Sequence, residues 1–290
     1  MIIPLDFQEL LPENFYLLER ATGDIVPAQM EDVQRLVQYG DGLFESIRCE
    51  RGKSPFLEAH FQRLKASTRR FYFDVSEEHW SLWALQLNRV IRQWSKPRRL
   101  KIILTRKGPG LYTPTDKQGI LLLRFDPLKP LEEVHPGVDL SMDKSMFSRH
   151  AFGNHKTCSA MSYVQAGIRS ELQGREQIVL HHLEAGVIEA QSSNIFFRIG
   201  NKLRTPYLDS GCLNGVMRNI ILKWSAEEKL DIEERKVRPP ELDEAEEIFL
   251  SNAVHGPIPV RKFENSRMKS QELCQLLRKK FYRAFSGASS

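Results

Sequence analysis

Cysteine is scarce in this sequence. Cys49, Cys158, Cys212 and Cys274 lie far apart in 290 residues and form no Cys-x-x-Cys pair. That speaks against a disulfide-stapled scaffold or a cysteine-built metal site and points to a reduced, cytoplasmic location. No stretch approaches the roughly 18 consecutive apolar residues of a membrane span, so none is predicted. The first twenty residues, MIIPLDFQELLPENFYLLER, lack a basic start, a long apolar run and a small-residue cleavage site, so no signal peptide is read there. No internal repeat is present. The charge excess is small: 42 Lys plus Arg against 37 Asp plus Glu, a net +5. Such a balance selects neither a nucleic acid nor an anionic substrate. The basic clusters Ser95–Arg99 and Arg278–Lys280 lack interleaved stacking aromatics and a recognised binding fold, so they read as solvated faces. His181 and His182, as strand neighbours, point to opposite faces, and no second ligand cluster supports a metal.

What is present is an ordinary globular composition, 41% hydrophobic and 27% charged, in a chain long enough for one large domain or two small ones. Leu43–Cys49 reads as a strand after Gly40 and Gly42. Residues 59–73 read as a helix with Phe61, Leu64, Thr68 and Phe71 on one side, and 78–94 as a second helix ended by Pro97. Leu100–Thr105 and Ile120–Phe125 are apolar runs of strand length around a Gly/Pro-rich loop, Lys107–Gln118. Pro127, Pro130 and Pro136 mark residues 126–137 as a linker. It divides a smaller N-terminal α/β domain, 1–125, from a larger domain, 138–290. In the second part Cys158–Leu172 reads as a helix, Gln177–His182 and Val187–Glu189 as strands, and Ile195–Ile199 with Lys202–Thr205 as a hairpin around Gly200-Asn201. A helix over 215–229, a strand at Ile248–Ser251 and a terminal amphipathic helix, Gln271–Phe285, complete the pattern, with SGASS as a frayed tail. The mixture is α/β or α+β.

Four stretches carry more information: YGDGLFESIRCERGKSPFLEAHFQRL (39–64), AFGNHKTCSAMSYVQAG (151–167), LEAGVIEAQSSNIFFRIGNKLRTP (183–206) and LNGVMRN (213–219). A lysine amine condenses with an aldehyde only when deprotonated, a state that burial or a neighbouring cation favours. A lone lysine among 42 basic residues is ordinarily a solvated surface group. Lys156 differs by its setting, between Phe152-Gly153 and an apolar helix start, thirty-three residues ahead of Glu189. Together the stretches resemble the fold-type IV (class IV) enzymes that use pyridoxal phosphate (PLP). That family includes the branched-chain and D-amino-acid aminotransferases and aminodeoxychorismate lyase. The resemblance runs from about Tyr39 to about Val260.

The resemblance implies a two-domain fold-type IV enzyme with PLP as cofactor. Lys156 would hold PLP as a Schiff base and shuttle the substrate α-proton. Glu189, otherwise a solvent-facing strand carboxylate, would bond the pyridine nitrogen and help the ring take up electrons. Asn194 would position backbone. The PLP phosphate would meet the amides of Val216 and Met217 at a helix start, the Arg63 guanidinium, and Asn252. Met217 and Asn252 stand where branched-chain aminotransferases commonly have threonine, a departure that resembles the lyases; FESIR (44–48) resembles the aminotransferases. The aminotransferase tyrosine five residues after the lysine is replaced by Met161, which leaves Tyr163 as the candidate for the cofactor's phenolic oxygen. The loop Arg106–Tyr112 lacks the arginine and histidine of the D-amino-acid enzymes. The expected activity is amino transfer between a branched-chain-like amino acid and a 2-oxo acid; the alternative is 4-amino-4-deoxychorismate lyase. Expected partners are a small amino-carboxylate substrate and a second copy of the chain, with no nucleic acid and no membrane. A non-enzymatic basic binding module would leave Lys156 and Glu189 without a role.

Overall fold

Leu100–Thr105 and Ile120–Phe125 are apolar almost without a break, and the structure shows why. In this computed structural model, which describes residues 14–147 and 152–286, the chain falls into two compact units. One runs to Leu131 and also takes in Lys156–Ser159; the other starts at Glu132, runs to His155 and resumes at Ala160. The leader reading of the first residues (1–13), the opening Ala151 of AFGNHKT and the tail at 287–290 lie outside the described residues.

The first unit holds β1 (Tyr16–Leu18), β2 (Ile25–Pro27), α1 (Met30–Tyr39), β3 (Gly42–Cys49), α2 (Leu57–Arg70), α3 (Glu77–Arg92), β4 (Arg98–Arg106) and β5 (Gly119–Pro127). Its sheet is antiparallel throughout, in the order β2-β1-β5-β4-β3. Successive strand residues point to opposite faces. Leu100, Ile102 and Leu104 join Leu121, Leu123 and Phe125 on one face, against Phe61 and Leu64 of α2 and Trp83 and Leu87 of α3. Ile103, Ile120 and Leu122 face the other way, against Val33 and Leu36 of α1. A sheet covered on both faces has little polar side to alternate with, hence the nearly unbroken runs. Trp83 is fully buried, and Trp83→Ala would cost about 3–5 kcal/mol. The first turn of α3 is set by Ser76, whose Oγ accepts from the His79 amide at 3.4 Å, with Glu77 and Glu78 beside it and Arg89 and Arg92 in the last turn.

The second unit holds β6 (Val138–Met142), α4 (Met161–Leu172), β7 (Gln177–His182), β8 (Gly186–Ala190), β9 (Asn194–Ile199), β10 (Lys202–Pro206), α5 (Val216–Glu227), β11 (Asp231–Arg235), β12 (Glu247–Asn252), β13 (Gly256–Phe263), β14 (Ser266–Arg267) and α6 (Glu272–Ser286). Its nine-stranded sheet runs β11-β10-β9-β12-β13-β6-β7-β8, with β14 beside β13. The β10–β11, β13–β6 and β6–β7 pairs are parallel and the other pairs antiparallel. The β9–β10 turn takes two residues, with Gly200 at φ 58, the first-position glycine of a mirror-image hairpin turn. Leu140, Val187, Ile195, Phe197, Ile248 and Val260 form the sheet's core. Cys274, Leu277, Phe281 and Phe285 form the buried side of α6.

One expected helix starts later than the sequence indicates. The helix expected from Cys158 begins at Met161, because Lys156–Ser159 belongs to the first unit, where its backbone bonds to Gly42 and Phe44. The segment around Val33–Gln38, to which the sequence pattern assigned no element, is the helix α1, whose buried residues are Asp32 and Arg35 while Met30 and Val37 are exposed.

Candidate active site

In the first unit, Lys156 is fixed through its backbone. The Phe44 amide donates to Lys156 O at 2.9 Å, the Cys158 amide donates to Gly42 O at 2.8 Å, and Leu43 and Thr157 form an antiparallel bridge. The segment thus adds one short antiparallel pairing beside β3, the edge strand of its sheet. Lys156 Nζ stands 4.4 Å from the centre of the Phe44 ring, and Lys101 Nζ stands 4.8 Å from the same ring. An ammonium near an aromatic face is attracted by the ring quadrupole. Burial pushes the neighbouring Cys158 thiol up to about 11, against the pull of Lys101 and Lys156, so it stays protonated.

On β3, alternate positions from Leu43 to Ile47 face α2, and the one between them is Glu45. It is almost fully buried. Its carboxylate accepts from Arg63 Nε at 2.8 Å and Arg63 Nη2 at 2.5 Å, and His60 Nδ1 lies 2.6 Å from Oε2. Burial acts to raise the Glu45 pKa, but Arg63 and His60 outweigh it and hold the carboxyl at about 2. Burial also lowers the His60 pKa, opposed by Glu45 and reinforced by Arg63 and Lys156. Arg63 therefore lies on α2 with its fork on Glu45. Neither Glu45 nor His60 was singled out from the sequence, although Glu45 lies within FESIR; a carboxylate in the apolar phase of a strand was the available signal.

In the second unit, Glu189 is the fourth residue of β8, 4% exposed. Tyr163 Oη donates to its Oε1 at 2.7 Å. Oε2 accepts from Asn194 Nδ2 at 3.3 Å and from the Leu213 amide at 3.2 Å. Asn194 Nδ2 also donates to Leu213 O at 2.9 Å. One asparagine thus ties the carboxylate to the turn that opens α5. At that turn Gly215 is the N-cap and has no side chain with which to cap the amides of Val216 and Met217. A Cβ on Gly215 would lie 2.0 Å from Asn194 Oδ1, so only glycine fits.

Asn252, at the end of β12, holds its own turn. Oδ1 accepts from the Val254 and His255 amides at 3.1 and 2.8 Å, and Nδ2 donates to Ser193 Oγ at 3.0 Å. Ser193 and Asn194 are adjacent, so they link the Asn252 turn to the start of α5. The second unit therefore gathers Glu189, Tyr163, Val216, Met217 and Asn252 around Asn194; Lys156 and Arg63 belong to the first unit. Among the described residues no group of three His, Cys, Asp or Glu side chains could hold a metal ion, and no helix is long and apolar enough to cross a membrane.

A buried carboxylate beside an uncapped helix start suits a cationic ring nitrogen at one end and a phosphate at the other, and on these two features the residues fit PLP. Comparison with known proteins agrees. Residues 42–263 match the family described as Amino-transferase class IV. A probable branched-chain-amino-acid aminotransferase from Thermotoga maritima is 36% identical over 104 residues, which span 36% of this chain and 38% of that protein. An aminodeoxychorismate lyase from Vibrio harveyi is 25% identical over 78% of this chain and 84% of its own length. In fold, the chain is similar to the PLP-form of a branched-chain amino acid aminotransferase from Thermobaculum terrenum, with a TM-score of 0.81, 18% identity and coverage of 96% of this chain and 95% of that one. A purely basic binding module finds no support in these matches. With the family pattern matched over most of its length, the chain belongs to the class IV aminotransferases, a PLP-dependent family of fold type IV.

Proposed function

We propose that the protein is a PLP-dependent aminotransferase that moves an amino group between a branched-chain-like amino acid and a 2-oxo acid. The observation that carries this reading is Glu189, a buried carboxylate met by the neutral donors Tyr163, Asn194 and Leu213 and joined through Asn194 to the glycine-capped start of α5. PLP supplies an electron sink for negative charge at the substrate α-carbon. Glu189 would hold the protonated ring nitrogen, and the amides of Val216 and Met217 would bind phosphate oxygens at the positive end of α5. Arg63 would bring its guanidinium toward the phosphate, with Glu45 setting its orientation and offsetting part of its charge. Asn252 would act through the turn amides it orders. Lys156 Nζ would tether the cofactor and, once released, take the proton from the substrate α-carbon and return it. A lyase reading is favoured by Met217 and Asn252, which replace hydroxyl side chains, and by the Vibrio relative.

The two are separated by offering the purified protein leucine, isoleucine and valine with a 2-oxo acid acceptor and, in parallel, 4-amino-4-deoxychorismate. Amino transfer without release of 4-aminobenzoate and pyruvate supports the proposal; release of those products without transfer overturns it in favour of the lyase. We also place the enzyme in the cytoplasm, a reading supported by its four free cysteines. Symmetric dimers being the commonest soluble oligomers, it would work as a homodimer. Light scattering that finds an active species at the 33.6 kDa chain mass rather than twice it would refute the dimer.

A further inference from the structure

Tyr163 occupies the inner side of α4, in helical phase with the buried Ala166 and Ser170, its ring 5.1 Å from that of Phe147. Its hydroxyl donates to Glu189 Oε1 at 2.7 Å, while the donors to Oε2 come from β9 and from the turn before α5. The two carboxylate oxygens are therefore gripped from different elements, α4 on one and the β9–α5 side on the other. A carboxylate held at one oxygen only can pivot about its last bond; one held at both has its plane fixed.

We propose that Tyr163 is a positioning residue for Glu189: its hydroxyl fixes the plane of the carboxylate and keeps it ionised as the partner of the cofactor's ring nitrogen. The inference rests on the role given to Glu189 above, and it moves Tyr163 from the phenolic oxygen of the cofactor to the carboxylate that would meet its ring nitrogen.

Tyr163 from α4 is bonded to the carboxylate, and the Cys212 thiol, just ahead of α5, feels its charge while donating to Pro206 O and Tyr207 O. Burial first, and then the charge of Glu189, push both groups upward, Cys212 to about 12 and Tyr163 well above the usual tyrosine range. Both stay neutral. Arg218, which acts on Cys212, is itself bonded to Pro206 O and Glu234. A buried carboxylate that loses a donor takes up a proton more readily, and a protonated acid cannot serve as counter-ion to a protonated ring nitrogen. Loss of the Tyr163 hydroxyl should therefore show at the acid end of the pH range.

The test uses Tyr163→Phe, which keeps the ring packed on Phe147. PLP is titrated into wild-type and variant apoprotein across neutral and mildly acid pH, alongside an analogue in which C–H replaces the ring nitrogen. The variant should lose PLP affinity at a pH about one to two units higher than wild type, the shift that one hydrogen bond to a charged group makes. The analogue, lacking the nitrogen, should show no difference between the two proteins. In a Glu189→Gln background, Tyr163→Phe should add no further shift. Superimposed PLP profiles, an equal shift with both compounds, or a further shift in the Gln background each overturn the inference and leave the reading of Glu189 standing. A wild-type protein that binds PLP at no pH overturns both.

Discussion

Gly215→Ala adds one methyl group at a residue whose φ of −69° any amino acid can adopt, so its effect is purely one of space. The new Cβ would lie 2.0 Å from Asn194 Oδ1, where ordinary contact begins near 3.4 Å. The amide must retreat by more than an ångström. Asn194 Nδ2 sits 3.3 Å from Glu189 Oε2 and 2.9 Å from Leu213 O, and neither hydrogen bond survives a displacement of that size. Overpacking costs about 1–3 kcal/mol. The lost bond to a buried carboxylate costs about 1.5–3 kcal/mol and the bond to the carbonyl about 0.5–1.5 kcal/mol. Partial relaxation offsets some of this, which leaves a loss of about 3–5 kcal/mol in urea unfolding of the apoprotein. Gly167→Ala is the control. It sits in α4 with nothing within 4 Å of the added methyl, so it should be neutral or gain about 0.5–1 kcal/mol. PLP affinity should fall for Gly215→Ala and hold for Gly167→Ala. A Gly215→Ala protein within about 1 kcal/mol of wild type, with unchanged PLP affinity, would refute the claim that Asn194 joins the carboxylate to the helix start.

Glu189→Gln preserves shape but removes the negative charge; α-proton exchange should slow by orders of magnitude while the unfolding midpoint stays near wild type, and near-normal exchange would exclude the residue from the chemistry. Glu45 gives a pH dependence: its carboxyl is held at about 2 in the fold against 4.5 ordinarily, so its stabilisation is fully present above about 4.5 and is lost as pH falls toward 2. The shift corresponds to about 3 kcal/mol at about 1.4 kcal/mol per unit. The Glu45→Gln stability curve should be flatter than wild type over that window; parallel curves would show that the Glu45–Arg63–His60 cluster carries no such linkage.

What the sequence disclosed depended on whether burial followed the apolar pattern. β4, β5 and the β9–β10 hairpin were legible because apolar runs and a turn glycine coincide there with real strands. α1 was not, because its buried residues are Asp32 and Arg35 while Met30 and Val37 are exposed, which inverts the usual amphipathic signal. β13 was missed because Pro257 and Pro259 argue against a strand between two neighbours, yet it pairs with both β12 and β6. The start of α4 was set three residues early because long-range backbone bonds to β3, invisible to local periodicity, claim the segment after Lys156. Glu189 and Lys156 were singled out through motif spacing. The partners of Glu189 were not, since the contact between Tyr163 and a strand twenty-six residues away depends on how α4 docks. The spacing of Tyr163, Ala166 and Ser170 was the hint that Tyr163 points inward.

The central claim is that Lys156 carries the cofactor. Borohydride reduction of the PLP-loaded protein, followed by proteolysis and mass mapping, tests it at a single atom. One pyridoxyl group is expected, on the peptide containing Lys156, and none in Lys156→Ala. A pyridoxyl group on any other lysine, or none on the wild-type protein, would contradict it.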